Sequence, residues 1–188
     1  MGTTYKIKAN LHLWQSQTKI TQQIQKELIQ FSEKFSTYDR ESDISLFNEI
    51  EETTYISFQR DIAFVLDKAI ELYYLSDGAF DITVKPLFDI WGLDKPGKKR
   101  ARPEDKVVQD TLNQIGLDKL EMMYPNKIRK KHPQLQLDVS ALAKGYAVDQ
   151  CSKVLNENDI QDFMVEIGGE VFVQGTPKKR DEIGRAHV

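Results

Sequence analysis

Near the start of the chain the spacing of apolar side chains changes its period. Over Thr3 to Leu13, Tyr5, Ile7, Ala9, Leu11 and Leu13 alternate with Lys6, Lys8, Asn10 and His12, whereas from Thr18 onward Ile20, Ile24, Leu28, Phe31 and Phe35 recur every three or four residues. Alternation puts every second side chain on one face of a half-buried strand, and the longer period makes one apolar stripe along a helix. A second helical stripe fits Asp61 to Leu75, through Ile62, Val65, Leu66, Ala69, Ile70 and Tyr73, with Gly78 just past its end. Further helices are expected before Ile115-Gly116 and from about Ala141 to Leu155. Strands are expected at Leu120 to Tyr124 and Gln134 to Asp138, joined through Pro125-Asn126, and at Phe163 to Ile167 and Glu170 to Gln174 around Gly168-Gly169. The segment FSTYDRESDISLFNE reads as polar and turn-rich, and Gly78-Ala79-Phe80-Asp81 as a helix stop followed by a strand start. The pattern predicts an α/β or α+β layered domain, a mixed sheet packed with helices.

A chain of 188 residues with 40% hydrophobic and 29% charged side chains can bury a sizeable core as one domain. The formal charge is −3, which removes the electrostatic footprint of a nucleic-acid binder. The runs Lys98-Lys99-Arg100, Lys127 to Lys131 and Lys178-Lys179-Arg180 carry no interleaved aromatics and are expected to be solvated loops. One cysteine, Cys151, excludes an internal disulfide and a CxxC pair; in mid-helix it reads as a packed small side chain. Neither a basic, apolar leader nor an apolar run of roughly 18 residues is present.

Four segments hold more glycine, aspartate and small residues than a scaffold needs: MGTTY at the start, SDGAFDITVKPL from Ser76, DVSALAKGYAVD from Asp138 and EIGGE from Glu166. In the third, Ser140 can cap the following helix, whose positive end beside Lys144 suits a phosphate; the same arrangement also describes any capped helix. The Gly168-Gly169 pair reads as a hairpin turn or as bare backbone against a ligand.

Taken in order, MGTTY, STYDRESDISLFN, GAFDITVKPLFDIWG, DVSALAKGYAVD and EIGGEV resemble the FAD:protein FMN transferases of the ApbE family. The resemblance implies an ApbE-like fold and Mg²⁺-dependent phosphoryl transfer. FMN passes from FAD to a Thr or Ser hydroxyl of a target flavoprotein, and AMP leaves. It implies that Met1, Tyr38, Ala79, Phe80, Asp81, Asp138 and Lys144 contact FAD, and that Ala141 offers a main-chain metal ligand; the general base is not assigned. The same site with water as acceptor would be an FAD pyrophosphatase, and without catalysis a flavin-binding fragment. Two positions depart from the family pattern: Ser140 stands where glycine is usual and Ile82 where proline is common. The resemblance covers the family's N-terminal portion, residues 1–181, with the later metal-ligand segment expected beyond it. In the intact protein it implies the periplasmic side of the bacterial inner membrane, reached through an N-terminal export or lipoprotein signal. EIGRAHV, residues 182–188, can be back-translated into the start of a common sequencing-library adapter and is expected to be a non-native tail.

Overall fold

The structure, a computed structural model, describes residues 3–93 and 102–176. Its elements run β1 (Tyr5–Ala9), α1 (Gln17–Phe35), α2 (Asp43–Glu49), β2 (Ile56–Ser57), α3 (Arg60–Leu75), α4 (Lys85–Trp91), α5 (Asp105–Leu112), β3 (Leu120–Met123), β4 (Lys127–Lys130), α6 (Ser140–Glu157), β5 (Phe163–Ile167) and β6 (Glu170–Gln174). The expected mixture of sheets and helices is present, divided between two compact units. One is built from the chain up to Phe31 and from Lys144 onward, and the other from Ser32–Ala143.

In the first unit a three-stranded sheet has the order β1-β5-β6. Both pairings are antiparallel, with Tyr5 opposite Ile167 and Ile167 opposite Glu170. The turn between β5 and β6 is the expected hairpin: Gly168 (φ 58°) and Gly169 (φ 95°) both take positive φ, which a two-residue primed turn demands and glycine supplies without strain. Ile20, Ile24 and Leu28 of α1 meet Ala147, Val148, Cys151, Val154 and Leu155 of α6 and the inward side chains Phe163, Val165 and Ile167 of β5. The apolar stripe read from the sequence is this contact face. Cys151 is fully buried in it, and burial pushes its thiol up to about 12, as suits a packing residue rather than a nucleophile. The first strand is shorter than the alternation predicts. His12 N–H donates to Gln15 Oε1 (2.7 Å), and this turn leaves Leu13 fully exposed.

The second unit corrects several expectations. The polar segment between the first two long helices contains α2, whose first turn is capped by Ser42 Oγ accepting from Ser45 N–H (3.2 Å) and which buries Ile44 and Phe47. Asp81 starts no strand; it opens a tight turn leading into α4, with proline in the first helical turn. The α5 helix ends at Leu112, before Ile115-Gly116. The strand paired with β3 is β4, not residues 134–138, and β4 also pairs with β2 in the order β2-β4-β3. Leu135, Leu137 and Val139 are each fully buried, so the alternation is real; the segment nonetheless belongs to no sheet among the described residues, because the Asn48 side chain holds Leu137 and single bonds to the His132 and Ile82 carbonyls hold Leu135 and Asp138, with no ladder.

The basic run at Lys127 is likewise no loop, and Lys130 is 1% exposed. Its ammonium donates to the carbonyls of Asn48 (3.1 Å) and Ile50 (2.7 Å) and lies 4.9 Å from the centre of the Phe47 ring. Burial lowers its pKa from 10.5 to about 8. Between those two values the unfolded chain holds a proton that the folded chain has lost. Folding stability is therefore expected to rise with pH across this window, and to carry the full cost of the buried charge below it. Urea unfolding at a series of pH values measures this; the rise should vanish in Lys130→Met, and a flat wild-type profile would contradict the burial of the cation. The runs at 98–100 and 178–180 and the tail at 182–188 lie outside the described residues.

Candidate functional site

The sequence motifs fall into two groups, one in each unit. In the second unit the GAFD segment leaves α3 through a turn in which Gly78 takes φ 79° and donates to the Tyr73 carbonyl (2.9 Å). Phe80 N–H donates to Ser76 Oγ (2.9 Å). Asp81 Oδ1 accepts from both the amide and the hydroxyl of Thr83, each at 2.7 Å. Thr83 is fully buried, and its Oγ1 in turn accepts from Gly116 N–H (2.7 Å). The turn is thus fastened to the body of the unit through Thr83, a residue the sequence reading passed over, while Ala79 stays exposed and Phe80 and Asp81 partly so.

Asp138 is brought directly to this turn, since its N–H donates to the Ile82 carbonyl (2.7 Å). Its Oδ1 accepts from Ser140 N–H (2.8 Å). The expected Ser140 cap is therefore replaced by the Asp138 carboxylate accepting from Ser140 N–H, because Ser140 is already the first residue of α6. The carbonyl of Val139 accepts from Leu142 (3.0 Å) and Ala143 (2.9 Å) and starts the helical ladder. Ala141 lies exposed in that first turn. Tyr38 is 77% exposed, its amide donating to Ser36 Oγ (3.3 Å). An exposed aromatic ring offers a face for a planar heterocycle.

In the first unit Lys144, on α6, reaches the β5-β6 turn: Nζ is 3.5 Å from the Gly168 carbonyl and 3.9 Å from Glu170 Oε1. Gly168 N–H donates to the Thr4 carbonyl (3.1 Å). A Cβ on Gly168 would lie 2.9 Å from Thr3 Oγ1 and 3.0 Å from Lys144 Cδ. Thr3, Thr4, Lys144 and the β5-β6 turn are therefore packed together, with glycine at 168 both for its φ and for this closeness. Of the residues singled out in the sequence, Tyr38, Ala79, Phe80, Asp81, Asp138 and Ala141 lie in one unit and Lys144 in the other. Met1 lies outside the described residues.

A metal is the least provided for. Among the described residues no group of three or more His, Cys, Asp or Glu side chains could hold an ion. Asp81 and Asp138 both use Oδ1 for their own turns. These donors fit Mg²⁺ only as a minority of its oxygen ligands, with water and a bound diphosphate supplying the rest.

The ApbE family model matches residues 1–186 of the sequence. The chain belongs to the ApbE family. A protein of Haemophilus influenzae named FAD:protein FMN transferase is 33% identical over 181 residues, an alignment covering 93% of this chain and 52% of that protein. A Vibrio cholerae protein of the same name is 32% identical over 176 residues, with the same coverages. The solved flavin transferase ApbE from Vibrio cholerae superposes with a TM-score of 0.90 at 31% identity, covering 95% of this chain and 58% of that one. The apo flavinyl transferase ApbE of Pseudomonas stutzeri gives 0.85 at 28%, covering 93% and 58%. The chain thus spans about half the length of the curated relatives it matches.

Both departures from the ApbE pattern are structurally mild. At 82 the bond to Asp138 uses a main-chain carbonyl, which isoleucine and proline supply alike. At 140 the bond uses a main-chain amide, which serine and glycine supply alike.

Proposed function

We propose that this chain is the FAD-binding portion of an enzyme that transfers FMN from FAD to a Thr or Ser hydroxyl of a target flavoprotein. The observation that carries the reading is the grouping of the family's motifs within each unit: in one the GAFD turn is bonded to the Asp138 segment, and in the other Lys144 is packed with Thr3 and the EIGGE turn. In the reaction the acceptor oxygen attacks the phosphorus on the FMN side of the diphosphate. The bond to the bridging oxygen breaks, AMP leaves with it, and the hydroxyl proton goes to a base that the described residues do not identify. Such a transfer asks a protein for alignment and charge neutralisation. Lys144 would supply a cation to the diphosphate, Asp81 and Asp138 fixed acceptors for polar groups of FAD, and Tyr38 a surface for its ring system. Mg²⁺, when bound, would neutralise diphosphate charge, with the Ala141 carbonyl among its ligands. By the same resemblance the intact protein works on the periplasmic side of the inner membrane; among the described residues no helix is long and apolar enough to cross a membrane.

The test is incubation with FAD, Mg²⁺ and a target carrying an acceptor Thr. Transfer leaves flavin fluorescence on the target after denaturation, with AMP released in equal amount. Free FMN and AMP without labelled target would mean hydrolysis instead, and saturable FAD binding without AMP would mean a binding protein.

A further inference from the structure

Residues 135–139 have the alternation of a strand but, among the described residues, pair with no strand. Leu135, Leu137 and Val139 are each fully buried, while Asp138 between them is partly exposed. In a segment of period two, a slip of one residue would turn Leu137 outward and Asp138 into the core. At Leu137, the middle of the segment, both backbone groups are held by one side chain. At the end of α2, Asn48 Oδ1 accepts from Leu137 N–H (2.7 Å) and its Nδ2 donates to the Leu137 carbonyl (2.9 Å), the pair of bonds a neighbouring strand would make. Asn48 is itself fixed from behind, because the buried Lys130 ammonium holds the carbonyls of Asn48 and Ile50.

We infer that Asn48 is a positioning residue for Asp138: by reading both backbone groups of Leu137 it sets the register that presents the Asp138 carboxylate and the start of α6 to the ligand. The inference rests on the FAD-binding reading for its functional half. The Asn48 side chain makes its hydrogen bonds to Leu137 and none to Asp138 or another proposed FAD contact among the described residues. Its effect therefore passes through two bonds it does not make, Asp138 N–H to the Ile82 carbonyl (2.7 Å) and Ser140 N–H to Asp138 Oδ1 (2.8 Å).

The experiment compares Asn48→Ala with Asn126→Ala in the whole chain. Asn126 is a matched control in the same unit, its Nδ2 donating to the Phe58 carbonyl (2.6 Å) at the β2 end of the β2-β4-β3 sheet. Amide hydrogen exchange at Asp138 and Ser140 is measured by NMR without ligand, and FAD affinity by flavin fluorescence. Asn48→Ala is expected to lose protection at both amides and to weaken FAD binding by about tenfold, while Asn126→Ala changes neither. If Asn48→Ala does not fold, Asn48→Ser, which keeps one polar atom, is read in the same way. Retained protection at Asp138 and Ser140 in a folded variant overturns the positioning role. Lost protection with unchanged FAD affinity overturns its functional half. If the unaltered chain binds no FAD, the FAD reading fails, and the exchange at the two amides still decides whether Asn48 positions Asp138.

Discussion

Replacing Phe47 with alanine is expected to destabilise the protein by about 3–5 kcal/mol, the range for removing a large aromatic side chain from a packed core. Phe47 is 1% exposed and sits edge-on to Phe58, ring centres 5.4 Å apart. Its face is also turned to the Lys130 ammonium at 4.9 Å, so the substitution leaves a buried cation without its ring as well as a cavity. Urea unfolding measures the loss as a fall in midpoint at unchanged slope. Phe47→Leu, which keeps most of the volume, should cost less than about 1.5 kcal/mol. A loss below about 1 kcal/mol for alanine would show that α2 collapses onto the gap and that Phe47 is not a keystone of the second unit.

Removing the charge at Lys144 should act on ligand binding and hardly at all on folding. Its contacts to Gly168 and Glu170, at 3.5 and 3.9 Å, are long, and its side chain is 39% exposed, so it is ill-suited to a structural role and free to meet an anion. Lys144→Ala is expected to weaken FAD binding by about 1.5–3 kcal/mol, the value of a charge-assisted hydrogen bond, and to change stability by less than about 0.5 kcal/mol. Fluorescence titration with FAD at low and raised salt reads both the loss and its origin, since the unaltered protein should show the steeper salt dependence. Unchanged affinity in a folded variant would remove Lys144 from the site.

The long elements were legible because their periodicity is a direct image of burial. The stripe Ile20-Ile24-Leu28 and the apolar side of α6 meet in one core. The Gly168-Gly169 turn was legible because two consecutive positive φ angles leave few residue choices. The helices α2 and α4 were not: each has seven residues, too few for a stripe, and each is set by a local device, the Ser42 cap in one and Pro86 in the other. Residues 134–138 were misread as a strand because alternation reports which side is buried and is silent on what takes the backbone bonds. The candidate site residues came from the resemblance to the ApbE family more than from their own chemistry. Asp81 and Asp138 look like ordinary turn and cap residues, and the Ile82–Asp138 bond between them is invisible in a linear reading. Asn48 was hidden for the same reason, since its partner Leu137 lies far along the chain.

The antiparallel pairing of Tyr5 with Ile167 imposes an order of events on synthesis. The first strand leaves the ribosome early, yet its partner β5 is made only after the whole of Ser32–Ala143, so the sheet of the first unit closes last. The intervening unit has its own buried side chains and a sheet whose strands all lie within its span, and can begin to collapse while β1 still waits. During that interval Ile7 and the apolar stripe Ile20-Ile24-Leu28 stand uncovered, which makes the nascent β1–α1 segment the place where a chaperone would have most to hold.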